Sequence, residues 1–494
     1  MQTQGSVQIV SGNDVRFGDN ANIATEADPD DDAPHDVNLQ ASGSVAFGEH
    51  AQLQTKGAIA VAGVEGVSFA ADAQLGSSAG SVRIESAEGS IAFTGGANAY
   101  AEESLVISAG ESVTLTGESW LDAFEELSVT AERGDILMTD SVQLGGVDDS
   151  SNVATKEMTL AAAGSIRQQN IAADMGLTAE HLTVTAGEDV LLGAVDSGAG
   201  ETGNSIASAD IQTGGALSLG LAYISTDLKI NEADGGRVNG SVSINATDSG
   251  VTIGNDLAVS GDVQIYGSSI AAQGIAAGGK LVMSTAPYDD AAGGGIAAQA
   301  LSAESIGLMT KEGSISVSDL HAETTASVLR TGSSVGSIDL GHGRSEKTAM
   351  IFNASGAVSG SISAAESLYV FTGRNADTTS LILSADSGRA ALVGNAQSLA
   401  KYLKAPDAAG MHAGDIDINA FPVIDFSAML EGLDREPSLT LRRTKQDVES
   451  QTRFAVPEAG NPEEAVTDRW SKELETKGWY TAKHPARLSV SFRD

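Results

Sequence analysis

One short pattern recurs along most of this 494-residue chain. Two apolar residues stand two positions apart, a short turn rich in Gly, Ser, Asp, Glu and Asn follows, and two further apolar residues stand two apart. The pattern is seen in SVQIVSGNDVRF from Ser6, DVNLQASGSVAF from Asp36 and ELSVTAERGDILM from Glu126. Alternation with a period of two predicts short strands that each bury one face.

The pattern recurs about every 18 to 25 residues, a length that fits one coil of three short strands. A single coil cannot bury its own apolar face, whereas stacked coils bury it and pair their backbones along one axis. About sixteen coils can be counted within residues 1–390. The sequence therefore predicts an all-β fold, a parallel β-helix (solenoid), and the general preference of crossover connections predicts that it is right-handed.

The predicted core consists of the apolar residues on both sides of each turn, whose side chains should point inward. In the first six coils these are Val7, Ile9, Val15, Phe17, Leu39, Val45, Phe47, Ile59, Val61, Val67, Phe69, Val82, Ile84, Ile91, Phe93, Leu105, Ile107, Val113, Leu115, Leu127, Val129, Ile136 and Met138. Longer intervals between apolar pairs are expected to be surface loops, at residues 25–36, 145–156, 194–210 and 286–295.

The repeating pattern stops near residue 390, and most of the nine prolines lie beyond that point. Capping signals predict a helix over residues 461–478, and a second short helix is expected over 396–406. Alternating apolar residues predict a final strand over 486–494. We expect residues 391–494 to form a small C-terminal α+β region that caps the open end of the solenoid or binds another molecule.

The formal net charge of −38 disfavours nucleic acid and anionic membranes as partners, because phosphate groups bind clustered Lys and Arg. The acidity is expected to keep an exposed, elongated chain soluble. The chain has no cysteine, which excludes disulfides and thiolate metal sites. No run of about 18 apolar residues is present, so no membrane-spanning helix is predicted.

The repeats SLVISAGESVTLTG from Ser104 and HLTVTAGEDVLLG from His181 resemble those of filamentous-haemagglutinin-like exoproteins, which are large surface adhesins of Gram-negative bacteria. The resemblance covers about residues 1–390. It implies a secreted or cell-surface rod, without enzymatic activity, that mediates attachment to host cells, matrix or other bacteria, with a host receptor, a matrix component or a surface glycan as its partner. Proteins of this family are commonly exported by two-partner secretion, so the resemblance also implies an outer-membrane secretion partner for the full-length protein.

Two features of that family are not found in this sequence. There is no N-terminal secretion domain with an Asn-Pro-bearing motif, and the first residues, MQTQGSVQIV, lack the basic region and apolar core of a signal peptide. A C-terminal outer-membrane barrel is not recognised either. We therefore expect the chain to be an internal or C-terminal piece of a longer protein.

The tripeptide Arg133-Gly134-Asp135 is the one that mammalian integrins read on matrix proteins. The resemblance to adhesins supports a host-receptor site, and a turn would expose all three residues. The turn also explains the glycine by itself, because the alignment of coils places it level with Gly89, Gly66 or Ser112, where a positive φ is expected. Receptor binding and a plain solvated turn both remain open interpretations.

The alternative function is that of a polysaccharide-cleaving, pectinase-like hydrolase or lyase. Gly341-His342-Gly343, with Arg344 and Lys347 nearby, resembles the Gly-His-Gly motif and basic pair of such β-helix enzymes. The Asn-Thr-Asp element expected with it is absent. The candidate acids are the runs Asp30-Asp31-Asp32, Asp148-Asp149 and Asp289-Asp290, which would need to face a partner within about 10 Å. Aromatic residues that could stack on sugars, namely Tyr100, Trp120, Tyr223 and Tyr266, are scattered along the sequence.

No cofactor or metal is predicted. The acidic segment DPDDDAPHD from Asp28 could hold Ca²⁺ loosely, but a solvated loop is the favoured interpretation. The Gly-Gly-x-Gly-x-Asp repeat of calcium-binding β-rolls does not occur, and neither does a phosphate-binding loop with its lysine. The seven histidines show no spacing typical of metal ligands.

Overall fold

The predicted fold class is confirmed: the chain is a β-solenoid made almost entirely of parallel strands, with 66 % of the described residues in strands and about 13 turns instead of the sixteen coils predicted. The structure is a computed structural model that describes residues 2–3, 5–25, 35–145, 154–169, 176–194, 205–221, 225–246, 250–285, 294–332, 336–373, 380–386, 389–393, 403–404, 423–424, 439–443 and 488–492. The backbone falls into two compact units, unit 1 (Met1–Ser249) and unit 2 (Gly250–Asp494).

Unit 1 is built from three ladders of parallel strands, and each coil contributes one strand to a ladder. The first ladder contains Val7–Ser11, Val37–Ala41, Ile59–Gly63, Val82–Ser86, Ser104–Ala109, Glu126–Ala131, Thr155–Ala162, Thr178–Ala186, Ser205–Thr213 and Ser225–Ile230. The second contains Val15–Phe17, Ser44–Phe47, Gly66–Phe69, Ser90–Phe93, Val113–Thr116, Ile136–Thr139, Ile166–Gln169, Val190–Ala194, Leu217–Leu221 and Val242–Ala246.

The third ladder of unit 1 has seven described strands, fewer than the other two ladders, and they belong to the N-terminal coils of the unit. It contains Gln2–Thr3, Asn22–Thr25, Gln52–Thr55, Gln74–Ser77, Asn98–Ala101, Trp120–Ala123 and Gln143–Leu144. A two-residue strand, Arg237–Val238, and a single 3₁₀ turn, Glu232–Asp234, complete the described secondary structure of the unit.

The register of the ladders stacks equivalent apolar residues on one another. Val7 pairs with Val37, Val37 with Ile59, and the column continues through Val82, Leu105 and Leu127. Every predicted core residue of the first six coils is buried, except Ile9 and Phe17, which are half-buried. These two belong to the first described coil, whose strands pair with a described neighbour on one side.

A column of phenylalanines shows how closely the coils repeat. Phe17, Phe47, Phe69 and Phe93 occupy the same position of the second ladder and stack with ring centroids 4.7, 4.7 and 4.4 Å apart. The interplanar angles are 18°, 10° and 13°, so the rings lie nearly parallel. The strand spacing of about 4.8 Å sets this separation.

The prediction of a loop over 194–210 is wrong for its C-terminal part. Residues 205–213 form a first-ladder strand that pairs with Thr178–Ala186. Because Ser205–Thr213 already supplies the first-ladder strand of this coil, the apolar strand Leu217–Leu221 that follows pairs with Val190–Ala194 in the second ladder. The pattern was hidden because Ser208, Ala209 and Asp210 interrupt the apolar alternation. The other three predicted loops lie mostly outside the described residues.

Unit 2 continues the same construction with longer strands. Its first ladder contains Gly250–Ile253, Ser269–Ala277, Ile296–Thr310, Ile315–Arg330, Ile338–Ser345, Val358–Ala364 and Leu381–Ala385. Its second ladder contains Val263–Tyr266, Lys280–Ser284, the C-terminal parts of the two long strands, Thr348–Asn353, Ser367–Phe371 and Arg389–Val393. The short strand Leu257–Val259 pairs with the C-terminal end of the first-ladder strand Ser269–Ala277.

The largest fully buried side chain belongs to Arg330, inside unit 2. Its Nε donates to the carbonyl oxygen of Gly313, and its Nη1 donates to Ser355 Oγ at 2.8 Å. Glu312 Oε2 lies 3.5 Å from its Nη2. Burial lowers the pKa of Arg330, and the charge of Glu312 opposes that shift. The charge is thus compensated inside the coil, as buried charges require.

Past residue 393 the described residues form two antiparallel pairs. Leu403–Lys404 pairs with Val423–Ile424, and Leu439–Arg443 pairs with Leu488–Phe492, which confirms the predicted final strand. Only residues 403–404 of the predicted helix 396–406 are described, and they lie in a strand. The predicted helix over 461–478 lies outside the described residues, and the predicted boundary at residue 390 stays a prediction.

Candidate functional site

The Arg133-Gly134-Asp135 tripeptide lies at the corner between the first-ladder strand Glu126–Ala131 and the second-ladder strand Ile136–Thr139. Arg133 and Asp135 are exposed and Gly134 is half-buried. Arg133 Nη2 donates to the carbonyl oxygen of Glu88 at 2.8 Å, and Glu111 Oε1 lies 3.5 Å from it. Both partners belong to preceding coils, so the Arg133 side chain extends towards the preceding coils.

The expectation that Gly134 has a positive φ is wrong, because its φ lies outside the left-handed region. A Cβ at this position would overlap the Oγ of Ser112 in the preceding coil. That hydroxyl accepts a hydrogen bond from the N–H of Asp135 at 3.1 Å, so Ser112 stands level with Asp135 and not with Gly134. Glycine is needed here because the neighbouring coil approaches closely.

The carboxylate of Asp135 has a structural partner of its own. Its Oδ1 accepts a hydrogen bond from the backbone N–H of Ser165, in the next coil, at 2.7 Å. Ser165 is fully buried, and a Cβ on the adjacent Gly164 would overlap the same carboxylate oxygen. Asp135 therefore satisfies a buried donor that would otherwise lack a partner.

This arrangement is a recurring corner of the solenoid, which we call the Asp–Gly corner. An aspartate Oδ1 in one coil accepts the N–H of the residue that follows a glycine in the next coil, at 2.7 to 3.1 Å. The aspartates and their Gly-X partners are Asp14 with Gly43-Ser44, Asp19 with Gly48-Glu49, Asp36 with Gly57-Ala58, Asp135 with Gly164-Ser165, Asp189 with Gly215-Ala216 and Asp262 with Gly279-Lys280. Asp135 of the tripeptide is thus part of a structural corner, and in the other five corners no arginine stands two positions before the aspartate.

His342 lies exposed in the strand Ile338–Ser345, opposite Asp319 of the preceding strand. Its neighbour Arg344 is engaged by Glu346 through two bonds, Nε to Oε1 at 2.7 Å and Nη2 to Oε2 at 3.2 Å. These hydrogen bonds raise the pKa of Arg344 and lower the pKa of Glu346, so Glu346 is held in its ionised form.

None of the three aspartate runs expected beside His342, residues 30–32, 148–149 and 289–290, belongs to the described residues. In the described part of unit 2, the register brings one carboxylate, that of Asp319, opposite the imidazole. An acid and a base on facing walls of a cleft, which glycoside cleavage needs, are therefore not assembled by these residues.

A trio that sequence reasoning missed occurs in unit 1. His181 Nδ1 lies 2.7 Å from Ser208 Oγ, and His181 Nε2 lies 3.7 Å from Asp210 Oδ2. Adjacent parallel strands create the trio, because His181 stands opposite Ser208 and Asp210 is two positions farther along the same strand. It has the composition of a nucleophilic triad, but it stands on an open sheet whose backbone N–H groups are used in the ladder, so no oxyanion hole accompanies it.

The outer side of the third ladder in unit 1 carries a set of aromatic and amide side chains, which we call the aromatic–amide face. It consists of two columns that run across the strands. One column contains Gln52, Gln74, Asn98, Trp120 and Gln143, and the other contains Gln54, Gly76, Tyr100 and Asp122. Apart from Gly76, these residues are half-buried or exposed, whereas the residues between them point into the core.

Tyr100 and Trp120 are therefore not scattered, as the sequence suggested. They are 20 positions apart in the chain but lie on paired strands, because Asn98 stands opposite Trp120 and Tyr100 opposite Asp122. The ring of Tyr100 covers Gly76 of the preceding strand, where a Cβ would overlap it. Phe124, one residue past the strand of Trp120, is 39 % exposed. A coil length near twenty residues is the signal that could have revealed this cluster.

The described residues contain no group of three His, Asp or Glu side chains arranged to hold a metal ion. Within the same residues, no helix is long and apolar enough to cross a membrane. Comparison with protein-family models, with curated proteins and with solved structures found no match to this chain.

Proposed function

We propose that this chain is the structural and adhesive rod of a bacterial surface adhesin, secreted or held at the cell surface, which attaches to host cells, matrix or other bacteria. The observation that carries the proposal is the register of unit 1. Residues stand at the same position of successive coils, so the outer side of the third ladder presents amide and aromatic side chains that recur from coil to coil. Such a surface suits extended, repeated contacts.

A full-length protein of this kind would require an outer-membrane partner for secretion, as the resemblance of its repeats implies. The acidic charge of the chain supports an exposed rod that repels its neighbours and stays soluble. No catalytic role is proposed for His342 or for the Ser208 trio, because the first faces a single carboxylate and the second has no oxyanion donors.

Receptor binding by Arg133 and Asp135 belongs to the proposal as one candidate contact. Both side chains are exposed, and one carboxylate oxygen of Asp135 is engaged with Ser165. An integrin would have to read the other oxygen and draw the guanidinium away from Glu88 and Glu111.

The adhesive function can be tested with beads coated with the purified chain, which present many copies at once. The beads are added to cultured epithelial cells, to immobilised fibronectin or collagen, and to a lawn of bacteria. We expect attachment to at least one of these surfaces, above that of beads coated with the acid-unfolded chain. Attachment equal to that control on all surfaces would contradict the adhesive role. Parallel assays of soluble polysaccharides for cleavage, with Ser208→Ala and His342→Ala as controls, test the enzymatic alternative.

A further inference from the structure

We infer that the aromatic–amide face of unit 1 is a binding site for neutral glycan chains. This inference rests on the proposed adhesive function and names the chemical class that the rod would recognise. It starts from the distribution of aromatic residues, of which the chain has few: 7 Tyr and 3 Trp in 494 residues. One Tyr and one Trp stand on neighbouring strands of the same sheet, with their side chains on its outer side.

The orientation of the tyrosine favours stacking. Because Gly76 has no side chain, the ring of Tyr100 lies against the backbone of the neighbouring strand, and its opposite face is directed away from the sheet. A ring held in this way has lost its rotational freedom before a ligand arrives, which reduces the entropic cost of binding. The C–H face of a pyranose stacks on such a surface, while its hydroxyl groups extend beyond the ring edge.

The neighbouring amides supply partners for those hydroxyl groups. A side-chain amide offers donors and an acceptor together, as a sugar hydroxyl does. The side chains of Gln52, Gln54 and Gln74 make no hydrogen bond within the part of the chain that the structure describes. Their amide groups are therefore available without breaking an existing bond.

The charges near the face select against acidic glycans. The face itself contains one ionisable group other than tyrosine, the carboxylate of Asp122, and no Lys or Arg. Two lysines are described close to the face: Lys56 follows the strand Gln52–Thr55, and Lys156 lies over the ring of Phe124 at 4.7 Å and is bound by Glu125 Oε1 at 2.7 Å. With a net charge of −38, the chain repels sulfated or carboxylated polysaccharides.

The geometry of the face also favours a chain over a single sugar. The two columns cross several coils at the regular strand spacing of about 4.8 Å. An extended saccharide lying across the strands would contact one amide or aromatic residue per coil. Each contact is modest, and the affinity comes from their number.

The inference can be tested on a glycan array with three arms: neutral animal-type oligosaccharides, neutral bacterial and plant oligosaccharides, and sulfated chains such as heparin. We expect binding within one of the two neutral arms, which identifies the source, and none to the sulfated arm. The affinity for the best neutral ligand should fall about tenfold in Tyr100→Ala and Trp120→Ala, which corresponds to about 1.4 kcal/mol, a contribution of the size that one stacked aromatic ring supplies. Tyr100→Phe keeps the ring and should stay within about threefold of the unmodified chain.

Two further variants separate the face from general effects on the fold. Gly76→Ala displaces the tyrosine ring and should weaken binding as Tyr100→Ala does, while Gln40→Ala removes an exposed amide from the first ladder and should change nothing. Circular dichroism checks that each variant folds; if an alanine variant does not, Gln54→Ala, at an exposed position, replaces it and should lower the affinity. The inference fails if no neutral glycan binds, if heparin binds more tightly, or if binding is unchanged in the folded face variants.

The same proteins on beads distinguish this failure from failure of the adhesive role. Attachment that persists in Tyr100→Ala and Trp120→Ala, without glycan binding, would leave the adhesive function standing and remove the glycan site. Glycan binding by the chain, without attachment of the beads to any cell or matrix, would support the glycan site and contradict the adhesive function.

Discussion

Replacement of Asp135 should separate its structural role from receptor recognition. Asp135→Ala removes the acceptor of the Ser165 N–H, which is fully buried and has no alternative partner among the described residues. Leaving a buried donor unsatisfied costs about 1 to 3 kcal/mol, so unit 1 should be destabilised by that amount. Asp135→Asn keeps an Oδ1 acceptor while removing the charge, and should cost about 1 kcal/mol, the difference between a hydrogen bond to a charged acceptor and one to a neutral acceptor.

Hydrogen exchange at Ser165 and the neighbouring strands measures this effect locally, which suits a solenoid because its coils can open independently. Asp189→Ala is the matched control, since it breaks the same corner at Ala216, whose amide is only half-buried. Its cost should therefore lie at the lower end of the same range. Equal protection in Asp135→Ala and the unmodified chain would refute the argument that the carboxylate holds this corner.

The asparagine variant also decides the receptor question. Integrin recognition requires the carboxylate, whereas the corner requires only an acceptor oxygen at Oδ1. If Asp135→Asn is folded but no longer attaches to epithelial cells, the tripeptide is a receptor contact. If it attaches as the unmodified chain does, the tripeptide is a structural corner and the attachment has another origin.

Three other predictions concern the core and the corners. Phe69→Ala should destabilise unit 1 by about 3 to 5 kcal/mol, because the ring is 1 % exposed and stacks on both Phe47 and Phe93. Phe17→Ala should cost less, because that ring is half-buried and has one stacked neighbour. Urea unfolding followed by circular dichroism compares the two variants. Arg330→Ala should cost about 3 kcal/mol or more, because it leaves Glu312 and several polar groups without their buried partner, and exchange of the strand Thr348–Asn353 should rise most. Hydrogen bonds from the backbone N–H of Ser44, then from the Ser44 hydroxyl and Arg16, lower the pKa of Asp14 below its ordinary value of 3.8. The stabilisation that Asp14 provides is therefore present above pH 3.8 and is lost as the pH falls through the lowered folded pKa. Protection of the Ser44 amide against hydrogen exchange, corrected for intrinsic exchange, should follow this titration in the unmodified chain and should not follow it in Asp14→Asn.

The sequence allowed the fold to be predicted in detail because burial on one face of a strand leaves a period-two pattern that chance rarely sustains. The inward residues of the first six coils are buried almost without exception, and the stack from Phe17 to Phe93 could be read from the alignment of coils. The period-two pattern is lost where small or polar residues occupy inward positions. Ala209 and Thr213 are buried in a first-ladder strand, but neither marks a strand by its hydrophobicity.

The candidate sites were harder to predict, because they depend on which coil lies beside which. The reason for Gly134 could not be derived without knowing that the Ser112 side chain approaches it. The pairing of His181 with Ser208 depended on a strand that the sequence disguised as a loop. Tyr100 and Trp120 could have been brought together by applying the coil length to exposed positions as well as to buried ones.

Each Asp–Gly corner links one coil to its successor in a fixed order: one coil supplies the acceptor and the following one supplies the gap and the donor. Inserting or removing complete windings elsewhere in the solenoid keeps the acceptor of each corner beside its gap. Loss of half a winding would place a side chain where the carboxylate must fit. Duplication and deletion of genetic segments are thus compatible with this architecture only in steps of one full period, so related chains should differ in length by multiples of about twenty residues.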